Sequence, residues 1–125
     1  MPTTRDIGRR AEDRAAAWLA ERGYVVLARN HAPRRGAVDL VCRAAGVLCF
    51  VEVRSRAGSG HGAPEETVDR RKALRVVAAA TDWARRNGAL GDDIRFDVVA
   101  MTGSGDAVAF ELFEGAFDAS GGSPA

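Results

Sequence analysis

The stretch from residue 37 to residue 54 constrains this chain more than any other, because it sets two apolar, β-branched runs side by side with almost nothing between them. Ala37 to Arg43 and Val47 to Arg54 read as strands, and Ala45-Gly46 leaves only a two-residue turn. A hairpin follows, and a register with it. If Ala44 faces Val47, then Cys42 faces Cys49, Val41 faces Phe50, Asp39 faces Glu52 and Ala37 faces Arg54. Side chains alternate across a sheet, so the two acids share a face with Ala37, Val41, Phe50 and Arg54. Val38, Leu40, Cys42, Cys49, Val51 and Val53 make the other face, an apolar one.

Directly opposed residues have Cβ atoms roughly 5 Å apart. Two carboxylates at that spacing repel by about 3 kcal/mol at an effective dielectric of about 20. A divalent cation, a shared proton or a nearby arginine relieves the repulsion. Mg²⁺ takes hard oxygen ligands from a few carboxylates and fills its shell with water, and such an ion stabilises the attacking and leaving oxygens of phosphodiester hydrolysis. The same spacing also suits two acids on a solvated face, each with an arginine partner, and a one-residue slip would part them.

Around the hairpin, residues 6–22 read as a helix, with Ile7, Ala11, Ala15, Trp18, Leu19 and Arg22 at helical spacing and Gly23 as the stop. Residues 24–29 read as a strand and 30–36 as a basic loop holding Pro33, Arg34 and Arg35. A glycine-rich stretch over 57–63 precedes a long helix over 69–87, capped by Asp69 and ended by Gly88. Strands are expected over 94–101 and 107–113. Residues 1–114 are read as a single domain and 115–125 as a disordered tail. The order α-β-β-β-α-β-β predicts an α/β fold with a central mixed sheet and a helix on each face. The first three strands form an antiparallel meander, and the fourth joins in parallel through a crossover.

The formal net charge is +1, so bulk charge does not mark a nucleic-acid binder and the placement of charges has to. Of 18 basic residues, Lys72 alone is lysine. Arg70, Arg71, Lys72 and Arg75 open the long helix, where cations oppose the dipole unless an anion joins them. Arg34, Arg35 and Arg56 flank the hairpin ends. All seven are candidate DNA-phosphate contacts, and all suit a solvated face as well. The N-terminus is charged from the start and no apolar run reaches membrane length, so a soluble cytoplasmic protein without a membrane partner is expected. Cys42 and Cys49 are too few for a zinc site or a disulfide scaffold and read as packed thiols. Trp18 and Trp83 read as core, Asp97 as a strand-surface acid and His61 as an exposed loop residue.

GAVDLV, a short turn and FVEVRSR, at residues 36 to 56, resemble the pattern G-E-[IV]-D-L and F-V-E-V-K-x-R of the YraN-type bacterial family. GRRAEDRAAAWLAERGYVVLARN at 8–30, HGAPEETVDRRK at 61–72 and RFDVV at 95–99 resemble that family's other motifs in the same order. The family is placed in the PD-(D/E)xK, restriction-endonuclease-like superfamily and is similar to archaeal Holliday-junction resolvases. The resemblance implies a three-layer α/β/α fold with Asp39 and Glu52 as Mg²⁺ (or Mn²⁺) ligands and catalytic acids. It makes Glu12 an extra acid at the same site, and it puts Arg54 where the superfamily has its catalytic lysine. It also implies a homodimer, by resemblance only.

Two positions depart from the pattern: Ala37 stands for a glutamate and Arg54 for the lysine. An arginine, with a pKa above about 12, does not give up a proton to activate water. The acid pair and the resemblance together imply a metal-dependent endonuclease acting on DNA, at branched or single-stranded sites. The alternatives are a catalytically impaired DNA-binding module on the same fold and a protein-interaction adaptor.

Overall fold

A computed structural model describes residues 3–56, 69–103 and 105–122. Helix α1 (Thr4–Glu21) opens on a capping box, in which Thr3 Oγ accepts from the Asp6 N–H and the Asp6 carboxylate accepts from the Thr3 N–H, both at 3.1 Å. It begins ahead of the first apolar-periodic residue for that reason.

Strands β1 (Val25–His31), β2 (Val38–Ala44) and β3 (Val47–Arg56) form the antiparallel meander. Helix α2 (Arg70–Arg86) starts at the Asp69 cap, whose carboxylate accepts from the Lys72 N–H at 2.8 Å. It carries the chain over to β4 (Ile94–Thr102), which runs parallel to β3. A one-turn 3₁₀ helix (Gly105–Ala107) leads into β5 (Ala109–Phe117), antiparallel to β4. The result is an open mixed sheet in the order β1-β2-β3-β4-β5.

Both faces of this sheet are buried. On one, Val41, Phe50, Phe96, Val98 and Phe117 pack with Ala73, Val76, Ala79 and Ala80 of α2. On the other, Leu40, Cys42, Cys49, Val51 and Val99 pack with Ala15, Ala16 and Leu19 of α1. The face of the acid pair is thus not a solvated surface but the floor beneath α2. Val38 joins the α2 side rather than the Leu40 side expected from strict alternation. Cys42 and Cys49 do oppose each other, as free, buried thiols.

Small side chains on α2 let the backbone before β2 come close. A Cβ at Gly36 would lie 2.6 Å from both the Ala79 nitrogen and the Arg75 carbonyl oxygen, and the Ala37 N–H donates to that same carbonyl at 3.2 Å. This contact sets how far α2 stands from the start of β2, where Asp39 is.

Two expectations are corrected at the far side of the sheet. Strand β5 continues to Phe117, into the stretch expected to be a tail, because the Phe117 ring is buried and stacks on Phe96 at 5.1 Å. Beyond it a turn closes with the Asp118 N–H donating to the Gly122 carbonyl at 2.9 Å. Asp97 is fully buried, not on the surface. Its Oδ1 accepts from Arg95 Nε at 2.8 Å and the Gly115 N–H at 3.0 Å, and its Oδ2 from the Tyr24 hydroxyl at 2.9 Å and Arg95 Nη2 at 3.1 Å. Among the described residues no helix is long and apolar enough to cross a membrane.

Candidate active site

The hairpin pairs Ala44 with Val47, Cys42 with Cys49, Val41 with Phe50 and Leu40 with Val51. One step further along this register Asp39 meets Glu52. The backbone ladder gives way there to a side-chain bond, with Asp39 Oδ2 accepting from the Val53 N–H at 2.8 Å. The Asp39 carboxyl is close enough to disfavour charge on Glu52.

Glu52 is only 4% exposed. Burial disfavours its charged form, the neighbouring Asp39 carboxyl acts the same way, and its pKa is held well above the usual carboxylate range. Lys72 opposes the shift: its Nζ stands 3.0 Å from Glu52 Oε2. The crowded pair is therefore relieved by a nearby cation, an ammonium from α2 and not an arginine. Asp39 and Glu52 open into a cavity lined also by Ala37, Asp69, Arg71, Lys72 and Arg75.

The other expected site residues separate into groups. Glu12 lies under a neighbouring cavity with Gly8, Arg9, Asn30 and Ala32. Burial first, then the charge of Asp39, raises its pKa, while a hydrogen bond from the Asn30 side chain lowers it. It is thus within electrostatic reach of Asp39, but it does not complete a triad: among the described residues no three acids, histidines or cysteines are grouped to hold a metal. Glu12 Oε1 is buried without a hydrogen-bond partner.

Arg54 is half-buried on β3 and does not line the Asp39/Glu52 cavity. Arg70 turns away from it, donating to the Ser120 carbonyl at 3.4 Å. Arg34 and Arg35 are exposed in the turn before Gly36. The side chain of Arg56 and the whole of His61 lie outside the described residues.

Two carboxylates on one cavity, one of them buried with a positive charge beside it, fit a hard divalent cation that keeps most of its water. Asp39 and Glu52 would hold it. Glu12, with its orphaned oxygen, lies within electrostatic reach of Asp39, and Asp69 lines the same cavity as the pair.

Sequence reasoning placed Lys72 only among phosphate contacts, and Asp69 only as a cap. Its available signal for more was that the chain's one lysine lies three residues past a helix cap, on the helix that must cover the hairpin. The reach of that side chain to Glu52 depends on the Gly36 contact, which no local pattern announces.

The family model described as uncharacterised protein family UPF0102 matches residues 11–101. The chain is 59% identical over 114 residues to a UPF0102 protein of Anaeromyxobacter sp. (strain Fw109-5), covering 91% of this chain and 86% of the relative. It is 58% identical over 115 residues to one from Anaeromyxobacter dehalogenans (strain 2CP-C), covering 92% and 86%. A UPF0102 protein of Chromohalobacter salexigens is 44% identical over 112 residues, covering 90% of each chain.

Proposed function

We propose, for a chain that belongs to the uncharacterised protein family UPF0102, that it is a Mg²⁺-dependent endonuclease hydrolysing DNA phosphodiester bonds on a restriction-endonuclease-like fold. The observation that carries this reading is Asp39 beside the buried Glu52 at the floor of a cavity whose wall is Arg71, Lys72 and Arg75. Acids on the floor suit a hard cation, and cations on the wall suit a phosphate.

A divalent ion at the pair would neutralise charge gathering on the phosphoryl oxygens. The chain's own groups do the rest. Asp39 is oriented by the Val53 N–H. The arginines bind the phosphate, and the closeness of floor and wall holds a phosphodiester against a water. Attack forms one P–O bond as the ester P–O bond breaks. The water's proton goes to solvent, and the leaving oxygen takes one up.

The test is incubation of the purified chain with plasmid, Y-form and four-way-junction DNA in Mg²⁺ or Mn²⁺. Cutting is expected from the wild type, and Asp39→Ala and Glu52→Ala should each reduce it by at least about 100-fold. Cutting that survives both substitutions belongs to a contaminant and overturns the reading, as does a wild type that cuts none of the three.

A second reading, a DNA-binding module without cleavage, is favoured by one feature, Arg54 in the place of the family's lysine. It expects salt-dependent binding with no metal-dependent product.

A further inference from the structure

We infer that Lys72, carried on α2, makes at the Asp39–Glu52 pair the substrate contact that the superfamily takes from a strand lysine, so that this chain's catalytic ammonium sits on the helix facing the sheet. The inference rests on the nuclease reading above and adds a residue to it.

Three independent observations lead there. The first is composition. Of the 18 lysines and arginines only Lys72 is lysine, and it is found 3.0 Å from Glu52, the one buried glutamate among the described residues. The side chains are not equivalent. An ammonium is a compact point charge with three donors that turn freely, whereas a guanidinium is a rigid planar fork. With one donor on Glu52, Lys72 keeps two for other oxygens, and its side chain is 39% exposed, so those donors are accessible from the cavity.

The second is position. Lys72 lines the cavity with both acids and is flanked there by Arg71 and Arg75, and Arg54 does not line it. A phosphate bound by the two arginines lies against the ammonium, which can then donate to a phosphoryl oxygen as charge builds on it during attack by water. The bonds exchanged are those given above, and Lys72 keeps its proton throughout.

The third is how firmly the lysine is placed. Its own N–H is held by the Asp69 carboxylate at 2.8 Å, and Ala73, next along the helix, is fully buried. A turn later the Arg75 carbonyl accepts from the Ala37 N–H, two residues before Asp39. The helix carrying the ammonium and the strand carrying the acid are thus tied at one point, which is the geometry a reacting group needs.

The experiment compares Lys72→Met, Lys72→Arg and, as a control at the far end of α2, Arg85→Met with the wild type in three measurements: plasmid cutting in Mn²⁺, Mn²⁺ binding by titration calorimetry, and thermal melting. Lys72→Met should lower cutting by at least about 100-fold and Lys72→Arg by at least about 10-fold. Both should bind Mn²⁺ within about threefold of wild type or more tightly, since a competing cation has been removed or enlarged. Arg85→Met should cut within about fivefold of wild type. Lys72→Arg keeps the charge beside Glu52 and so serves where Lys72→Met does not fold.

Cutting by either Lys72 variant within threefold of wild type overturns the inference while leaving the nuclease reading intact. So does loss of Mn²⁺ binding in both variants as complete as in Glu52→Ala, which would make the lysine a structural support. A wild type that never cuts brings down the nuclease reading and this inference with it.

Discussion

Glu52 is the residue at which the needs of the fold and the needs of the site part. A buried carboxylate beside another carboxylate costs stability in its charged form, and the chain answers with the Lys72 ammonium 3.0 Å from Glu52. Because burial raises the pKa of Glu52 in the folded chain, the folded state keeps a proton that the unfolded state releases once pH passes the ordinary glutamate range. Stability owed to that proton is whole below the ordinary range and is lost as pH rises toward the raised value. Glu52→Gln keeps the shape and carries no charge to desolvate. Its melting temperature should therefore exceed that of the metal-free wild type by a few degrees at about pH 8, corresponding to roughly 1–3 kcal/mol, and the gap should close toward about pH 4. Melting curves of the two proteins across that range decide it. A gap that stays constant with pH, or a variant that melts lower at every pH, would show that Glu52 is ionised in the fold without strain. The same variant should fail to bind Mn²⁺, the expected mark of a residue retained for a ligand rather than for stability.

At the scale of the element, β4 is fastened to both of its surroundings by one side chain. Asp97 bonds Arg95 on its own strand, Tyr24 at the entry to β1 and the Gly115 N–H of β5, with every carboxylate oxygen used twice. Removing a fully buried charge leaves the Tyr24 hydroxyl and the Arg95 guanidinium facing an empty, dry space. Asp97→Ala should cost about 3–5 kcal/mol in urea unfolding, and a loss under about 1 kcal/mol would show the network to be ornamental.

This network also marks where reading the sequence stops. The hairpin, its register and the Asp39–Glu52 meeting were legible because a two-residue turn and strict alternation leave one pairing, and all the information lies within twenty residues. The crossover helix and the parallel entry of β4 were legible from element order. Asp97 was not, because its partner Tyr24 is 73 positions away and a lone acid in a strand carries no mark of burial. Strand β5 was cut short because the stacking of Phe117 on Phe96 that extends it is equally non-local. Glu12 was aligned with the metal acids by motif, but its place depends on how α1 crosses the end of β1, where Asn30 adopts φ 51. Arg54 was placed on the right strand. What pattern did not contain was the depth to which α2 leans over the sheet, at Gly36, where a side chain would lie only 2.6 Å from the α2 backbone, and that depth is what brings Lys72 to the acids.

Over the whole molecule, a net charge of +1 spread evenly would give DNA no reason to dock in any one orientation. The distribution is uneven. Arg71 and Arg75 stand on the cavity wall near the start of α2, whereas Arg85 and Arg86 end the same helix, with Arg86 already paired to Asp82 at 2.9 Å. At roughly 1.5 Å of rise per residue the two groups are separated by about 20 Å along the axis, about two Debye lengths at physiological salt, so they act as separate sites. Each phosphate neutralised by a bound arginine contributes roughly 0.9 to the slope of log affinity against log salt on duplex DNA. If the cavity is where DNA is held, Arg71→Gln with Arg75→Gln should flatten that slope by about 2, and Arg85→Gln should leave it almost unchanged. Fluorescence anisotropy of a labelled duplex across a salt series, in Ca²⁺ or without metal so that nothing is cut, makes the comparison. Flattening by Arg85→Gln of about half that of the double variant would mean that DNA senses only the sum of the charges. The docking face would then lie away from the acid pair, and a phosphodiester would no longer be delivered to Asp39 and Glu52 by the shape of the field. If only the wall variants flatten the slope, the position of α2 both neutralises the buried glutamate and aims the substrate at it, which ties the packing of Gly36 against that helix to the direction from which DNA arrives.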